Sequence, residues 1–219
     1  EVTSMRPELI FVGLERYPAW MMSNSAWTRS TVCWQTSATR SGTTAISTGR
    51  FFGFPIEEYY TRAGFDFSRH SFAELAARYM EIYVPASEVC PLMDGAAEAL
   101  QAFRSAGLRQ VILSASKRDT LCQQVGQRGV TRYFDRLLGL GDIYAKSKVE
   151  IGLAYLKEEG FDPARAVMIG DSVHDFEVAQ ALGVGCVLQS GGHQPAETLR
   201  KTGAPVVAGL REAAALILE

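Results

Sequence analysis

The chain has 219 residues, the size of one domain or of one domain carrying a small insertion. With 47% hydrophobic and 21% charged residues it has the balance of a globular protein that buries a core. A net charge of -2 and a pI near 6.0 exclude a polybasic nucleic-acid or membrane-surface footprint, and no apolar run approaches the ~18 residues that span a bilayer. Cys33, Cys90, Cys122 and Cys186 are scattered, with three histidines in the whole chain. That spacing fits neither a disulfide framework nor a zinc cluster, and it suits a reducing cytoplasm.

The first element is a strand-like run, Leu9-Ile10-Phe11-Val12. Composition then changes. Residues 16–56 contain no Asp or Glu, although the chain carries 24 acidic residues. Trp20, Trp27 and Trp34 all fall there, 13 of the 26 residues from Ser23 to Thr48 are Ser or Thr, and no leucine occurs between Leu14 and Leu75. So little aliphatic surface argues against a packed helix and for a surface loop or disordered insert. Arg-rich, Ser-rich and acid-poor is also the composition of a transit peptide. The stretch follows a strand instead of opening the chain, which disfavours targeting.

From Phe51 onward the patterning is regular. Residues Phe72 to Tyr83 form an amphipathic helix with Leu75, Tyr79 and Ile82 on one stripe. A helix over Asp94 to Ala106 is expected to be N-capped by Asp94 and closed by Gly107. Strands and helices then alternate: strand Gln110–Ser114, a helix through Leu121 and Val125, strand Leu137–Leu140, and helix Lys148–Glu159 ended by Gly160. Strand Ala166–Gly170, helix Val173–Leu182 stopped by Gly183, strand Val184–Leu188, a sixth strand over Ala204–Val207 and a last helix complete the series. Alternating units with near-continuous apolar strands predict an α/β fold, a parallel sheet covered by helices on both faces. Such folds bind ligands at the carboxyl ends of their strands.

Three signals sit at those ends. Gly170-Asp171-Ser172-Val173-His174-Asp175 follows one strand, and carboxylates four apart can meet one hard cation such as Mg²⁺. The plainer alternative has Asp171 only capping the helix. Ser114 ends another strand, and a hydroxyl with backbone N–H groups at a helix start is a phosphate cradle, or else ordinary capping. Lys148 opens a helix, where it opposes the helix dipole and so calls for an anion, unless it is a solvated surface lysine.

Together these signals resemble the haloacid dehalogenase (HAD) superfamily of phosphohydrolases, in its phosphoglycolate-phosphatase-like branch. Val111-Ile-Leu-Ser114 matches the second family motif, Lys148 the third, and Gly170 to Gly183 with Asp171 and Asp175 the fourth. Phe52-Gly53-Phe54-Pro55 resembles the start of the helical cap inserted after the first strand. The resemblance covers about three quarters of the chain. It implies a Rossmann-like core domain over residues 1–14 and 91–219, with a small helical cap over 15–90. It also implies a Mg²⁺-dependent phosphomonoester hydrolase of the cytoplasm, a monomer or homodimer. The substrate would be a small phosphorylated metabolite, with neither nucleic acid nor membrane as partner. Asp171 and Asp175 would serve the metal, and Ser114 and Lys148 would grip the phosphoryl group.

The first motif of the family, an apolar strand followed by Asp-x-Asp-Gly-Thr, is absent. Val12 stands where the resemblance puts the nucleophile and Leu14 where it puts the general acid, and neither side chain can do that work. A reading-frame disturbance would account for the gap. Leu14 to Pro18 written CTG GAA CGG TAC CCT, with the G of Ala19, spells Trp-Asn-Gly-Thr-Leu one nucleotide later, a common family variant. Trp20-Met21-Met22, which has no codon freedom, contains Asp-Asp two nucleotides later. The second functional class open to the chain is therefore a catalytically silent protein that binds phosphate and metal. A dehalogenase proper is disfavoured, because that chemistry needs no metal and the acid pair would have no use.

Overall fold

A computed structural model describes residues 7–14, 91–141, 147–192 and 194–219, together with positions 61, 67, 71–75, 77 and 81. The Ser/Thr-rich stretch 15–50 lies outside the described residues, as does most of the expected cap. Within 71–81, residues 72–75, 77 and 81 are helical, in line with the periodicity. Ser71 and Glu74 cap that helix reciprocally: the Ser71 amide donates to Glu74 Oε2 at 2.9 Å and the Glu74 amide to Ser71 Oγ at 3.3 Å.

The sheet has six parallel strands: β1 (Leu9–Leu14), β2 (Arg109–Lys117), β3 (Arg136–Leu140), β4 (Ala166–Gly170), β5 (Gly185–Gln189) and β6 (Val206–Val207), in the order β3-β2-β1-β4-β5-β6. Among the described residues it is accompanied by α1 (Ala96–Ser105), α2 (Arg118–Gln127), α3 (Lys148–Glu159), α4 (Val173–Leu182), the short α5 (Ala196–Arg200) and α6 (Leu210–Leu218). Central β4 is buried along its whole length, which is why its sequence, Ala-Val-Met-Ile-Gly, carries no polar alternation.

Successive residues of β1 go to opposite faces. Ile10 and Val12 join Ile112, Val167 and Ile169 in one core, filled from outside by Phe103 of α1, Leu121 of α2 and Ile217 of α6. Leu9 and Phe11 join Val111, Leu113 and Met168 in the other, filled by Tyr155 of α3 and Val178 of α4. Both cores consist of buried apolar side chains, so the sheet is held by apolar burial on two sides.

Two local expectations are corrected. Asp94 does not cap α1; Gly95 holds that position, and the Asp94 carboxylate instead accepts from both terminal nitrogens of Arg211 at 2.7 and 3.1 Å. β2 does not stop at Ser114 but runs on to Lys117 through a register shift against β3, so α2 opens at Arg118. α3 and α4 end as expected at Gly160 and Gly183, whose left-handed φ of 67° and 74° glycine adopts without strain.

The strand order reverses at β1. Chain before β4 builds outward through β2 and β3, and chain after β3 crosses back to the other side of β1. In open parallel sheets the crevice at the carboxyl ends of such a pair, here β1 and β4, is where ligands bind.

Candidate active site

The register fixes what reaches that crevice. Leu14 of β1 pairs with Ser114 of β2, and Val12 pairs with Ile169 of β4, two residues before Asp171. Ser114, Asp171 and the end of β1 therefore share one edge of the sheet. Ser114 is fully buried within β2, and its Oγ accepts from the Ser116 amide at 3.0 Å. The expected cradle at a helix start is thus a bend inside a strand, with the helix beginning four residues later.

α4 starts directly after β4, and its first turn is folded back on the strand end. Ser172, not Asp171, is the N-cap: Ser172 Oγ accepts from the Asp175 amide at 3.1 Å and donates to Asp175 Oδ2 at 2.9 Å. The Asp171 amide donates to the same Oδ2 at 3.1 Å. Gly170 permits this, because a Cβ there would lie 2.3 Å from Asp175 Cβ. The four-residue spacing thus brings the Asp175 carboxylate onto the backbone of Asp171.

Lys148 completes the arrangement from α3. Ser147 caps that helix by accepting from the Glu150 amide at 3.2 Å, which sets Lys148 at its first turn. Lys148 is 4% exposed and Asp175 0%, and Nζ donates to Asp175 Oδ1 at 2.9 Å. The anion that this lysine calls for is a carboxylate 27 residues away. Burial works against ionisation of Asp175. The Lys148 charge and hydrogen bond, with the Asp171 amide and Ser172 hydroxyl, outweigh it and hold the carboxyl below its ordinary value.

Sequence spacing singled out Asp171, Asp175, Lys148 and Ser114, and the fold sets all four at the carboxyl end of the sheet. It gives Val12 a different setting. Val12 is 1% exposed and points into the core of Ile10, Ile112 and Ile169, away from Lys148. The β1 residue beside the Lys148–Asp175 pair is Gly13, where a Cβ would sit 2.8 Å from Asp175 Oδ1. Leu14 closes β1; it pairs in the ladder with Ser114. Gln194 and Gly192, which sequence reasoning missed, also belong to the site. Gln194 Oε1 accepts from the Val173 amide at 2.7 Å, and Gly192 passes so close that a Cβ would fall 2.0 Å from Asp171 Oδ2. Neither carries a local sequence signal, since both reach the site from the loop after β5. His174 is turned outward to Glu177, at 3.3 Å.

The donor set accommodates Mg²⁺ in a reduced form. Mg²⁺ takes one or two carboxylates and fills its remaining positions with water and phosphate oxygens. With the Asp175 carboxylate bonded to Lys148 and Ser172, Asp171, fully buried at the strand end, is the carboxylate that would hold such an ion. A side chain at residue 192 would displace it, and glycine leaves it in place. No group of three or more His, Cys, Asp or Glu with metal-holding geometry occurs among the described residues.

Comparison with known proteins agrees with this architecture. The family model described as haloacid dehalogenase-like hydrolase matches residues 37–188. Tyrosine-protein kinase PtkA of Mycobacterium tuberculosis is 30% identical over 117 residues, which are 53% of this chain and 40% of that protein. Phosphoglycolate phosphatase of Caulobacter vibrioides is 29% identical over 150 residues, 66% of this chain and 62% of that protein. The chain thus spans less than two thirds of the length of either relative. Among solved structures, the haloacid dehalogenase-like family hydrolase SP0104 of Streptococcus pneumoniae superposes with a TM-score of 0.78 over 96% of this chain and 98% of that one. At 16% identity that likeness shows the shared fold. A family match over well more than half the chain, on a six-stranded parallel sheet of this order, makes the protein a member of the haloacid dehalogenase-like hydrolase family.

Proposed function

We propose that the chain is a phosphoryl-binding protein on the plan of a Mg²⁺-dependent phosphomonoester hydrolase. Its ligand would be a small phosphorylated metabolite of the phosphoglycolate type, and its place the cytoplasm. The observation that carries this reading is the buried Lys148 ammonium, held 2.9 Å from Asp175 at the switch point of the sheet. A buried cation at a strand end, with a hydroxyl and a further carboxyl on the same edge, suits an anion with several oxygens better than an apolar ligand.

In this reading Lys148 contributes positive charge to the equatorial oxygens of a bound phosphoryl group, and Ser114 contributes a hydroxyl donor. Asp175 keeps Lys148 in place, and Ser172 keeps Asp175 in place. Asp171 would hold Mg²⁺, which when bound neutralises charge on phosphoryl oxygens. The relative from C. vibrioides, by its name, acts on phosphoglycolate, which supports a small substrate of that class.

Binding without appreciable turnover is the form of this function that the present residues favour. β1, Leu-Ile-Phe-Val-Gly-Leu, supplies no carboxyl group to attack phosphorus. Calorimetric melting in the presence of inorganic phosphate and Mg²⁺ tests the binding: both should raise Tm, the phosphate effect disappearing in Lys148→Ala. A melting temperature indifferent to phosphate would remove the reading.

A further inference from the structure

We propose that the cavity between the end of α1 and the 3₁₀ turn Thr131–Tyr133 is a second anion site, which takes the phosphoryl group of a small molecule at the edge of the sheet opposite Lys148. This site does not depend on the function proposed above.

Its place follows from the connectivity. α1 ends at Ser105 and leads into Arg109, the first residue of β2, and the turn Thr131–Tyr133 leads into Arg136, the first residue of β3. Both therefore lie where strands begin. Ser114 is further along β2, about 16 Å from Arg109 at ~3.3 Å per residue. A ligand gripped at one edge does not touch the other.

The cavity has a volume of about 270 Å³ and is lined by Gln101, Arg104, Ser105, Arg132 and Tyr133. That is close to the ~300 Å³ at which small-molecule sites begin, and it leaves room for a phosphoryl group with a short organic portion. Gln101, Arg104 and Ser105 share a face of α1, being one helical turn apart. Two guanidinium groups thus line one cavity, with no Asp or Glu among the lining residues. Glu98, the acidic residue of α1, is engaged elsewhere, by Arg211 at 2.9 Å. The C-terminus of α1 contributes about half a negative charge, which two full positive charges outweigh.

Both guanidinium groups are held from behind. Arg104 Nη1 donates to the Arg132 carbonyl and so ties the helix to the turn. Arg132 lies over the Tyr133 ring, its guanidinium carbon 4.9 Å from the ring centre, and its Nη2 donates to the Tyr133 hydroxyl at 2.9 Å. Tyr133 is buried in the core with Ile10 and Phe103, which gives Arg132 a fixed platform. These bonds use a single N–H of each guanidinium, and the remaining donors keep the fork geometry that matches phosphoryl oxygens. Gln101 Nε2 donates to Ser105 Oγ at 3.0 Å, which leaves a second amide N–H and the Ser105 and Tyr133 hydroxyl protons as further donors. A phosphoryl dianion places two charges and three oxygens on one centre, which both forks can address at once; a carboxylate offers one charge and two oxygens.

The experiment titrates the full ¹⁵N-labelled chain, at fixed ionic strength and without Mg²⁺, with glycerol 3-phosphate and separately with malonate. Backbone amide shifts of Arg104, Ser105, Arg132 and Tyr133 read this cavity, and those of Ser114 and Asp171 read the opposite edge. Glycerol 3-phosphate should move the first set saturably, in the unaltered chain and in Lys148→Ala alike, and bind there more tightly than malonate. Arg104→Gln and Arg132→Gln should each weaken this binding at least about tenfold, and Arg104→Lys and Arg132→Lys, which keep the charge without the fork, should restore only part of it. If a Gln variant does not fold, the Lys variant at that position decides: affinity equal to the unaltered chain overturns the proposal. Absence of a saturable shift at the four cavity amides overturns it, as does binding that every arginine variant leaves unchanged. Malonate binding as tightly as glycerol 3-phosphate overturns the phosphoryl assignment. Shifts at Ser114 and Asp171 alone would remove this site and leave the function proposed above standing, and shifts at the cavity alone would do the reverse.

Discussion

Lys148 and Asp175 are the residues on which the site turns, because neither is stable in its place without the other. Removing one partner of a buried ion pair leaves the other as an uncompensated charge, at about 3–5 kcal/mol. Lys148→Ala should lower stability by that order in chemical denaturation; a loss under about 1 kcal/mol would show that the pair is solvated in solution. Asp171 is separable from them. Saturating Mg²⁺ should raise Tm by several degrees, since 1 kcal/mol of linked binding moves a chain of this size by roughly 2–4 °C, and Asp171→Asn should abolish the rise. An equal rise in both proteins would place the metal elsewhere. The thiols give a third check. Burial, with the Asp175 charge, pushes the Cys186 thiol far above its ordinary value, whereas Cys122 is exposed. Native alkylation read by peptide mass should mark Cys122 and spare Cys186. The residue types at the site were legible from sequence because family-like spacing is local within each strand–helix unit. The Lys148–Asp175 bond was not, since it joins two units, and the facing of Val12 and Gly13 depends on a register that only the assembled sheet defines.

At the scale of elements, helix ends were legible where a glycine stops the chain, as at Gly160 and Gly183. They were not where a distant group captures the expected cap, as Arg211 captures Asp94. The extension of β2 past Ser114 was hidden for a similar reason: Ala115-Ser116-Lys117 has weak strand propensity, and pairing of Lys117 with Leu140 holds it extended. How α3 lies on the sheet depends on Gly152, whose missing Cβ would meet the Leu182 methyl carbons at 2.8 and 2.9 Å and a Leu113 methyl at 3.2 Å. Gly152→Val should overpack this contact and cost about 1–3 kcal/mol, read from the urea midpoint at constant m-value. Because α3 carries Lys148, the same variant should weaken phosphate binding. A variant as stable as the parent would mean that α3 sits further from α4 than described.

At the scale of the molecule, a doubly covered sheet of order β3-β2-β1-β4-β5-β6 gathers sequence-distant segments at one edge, and among them β1, Leu-Ile-Phe-Val-Gly-Leu, brings no reactive group. The fold class was legible because each strand–helix unit repeats the same apolar pattern. The lack of a carboxylate in β1, Leu-Ile-Phe-Val-Gly-Leu, was legible as well. Binding parts without an attacking group underlie the function proposed above, in which this chain would hold a phosphoryl group without turning it over. The most direct test is Mg²⁺-dependent phosphate release by the unaltered protein from an activated aryl phosphate and from phosphoglycolate. Release indistinguishable from buffer is expected, because loss of a covalent nucleophile costs several orders of magnitude in rate. Robust turnover that persists in Lys148→Ala would contradict it and place the active site elsewhere on the molecule.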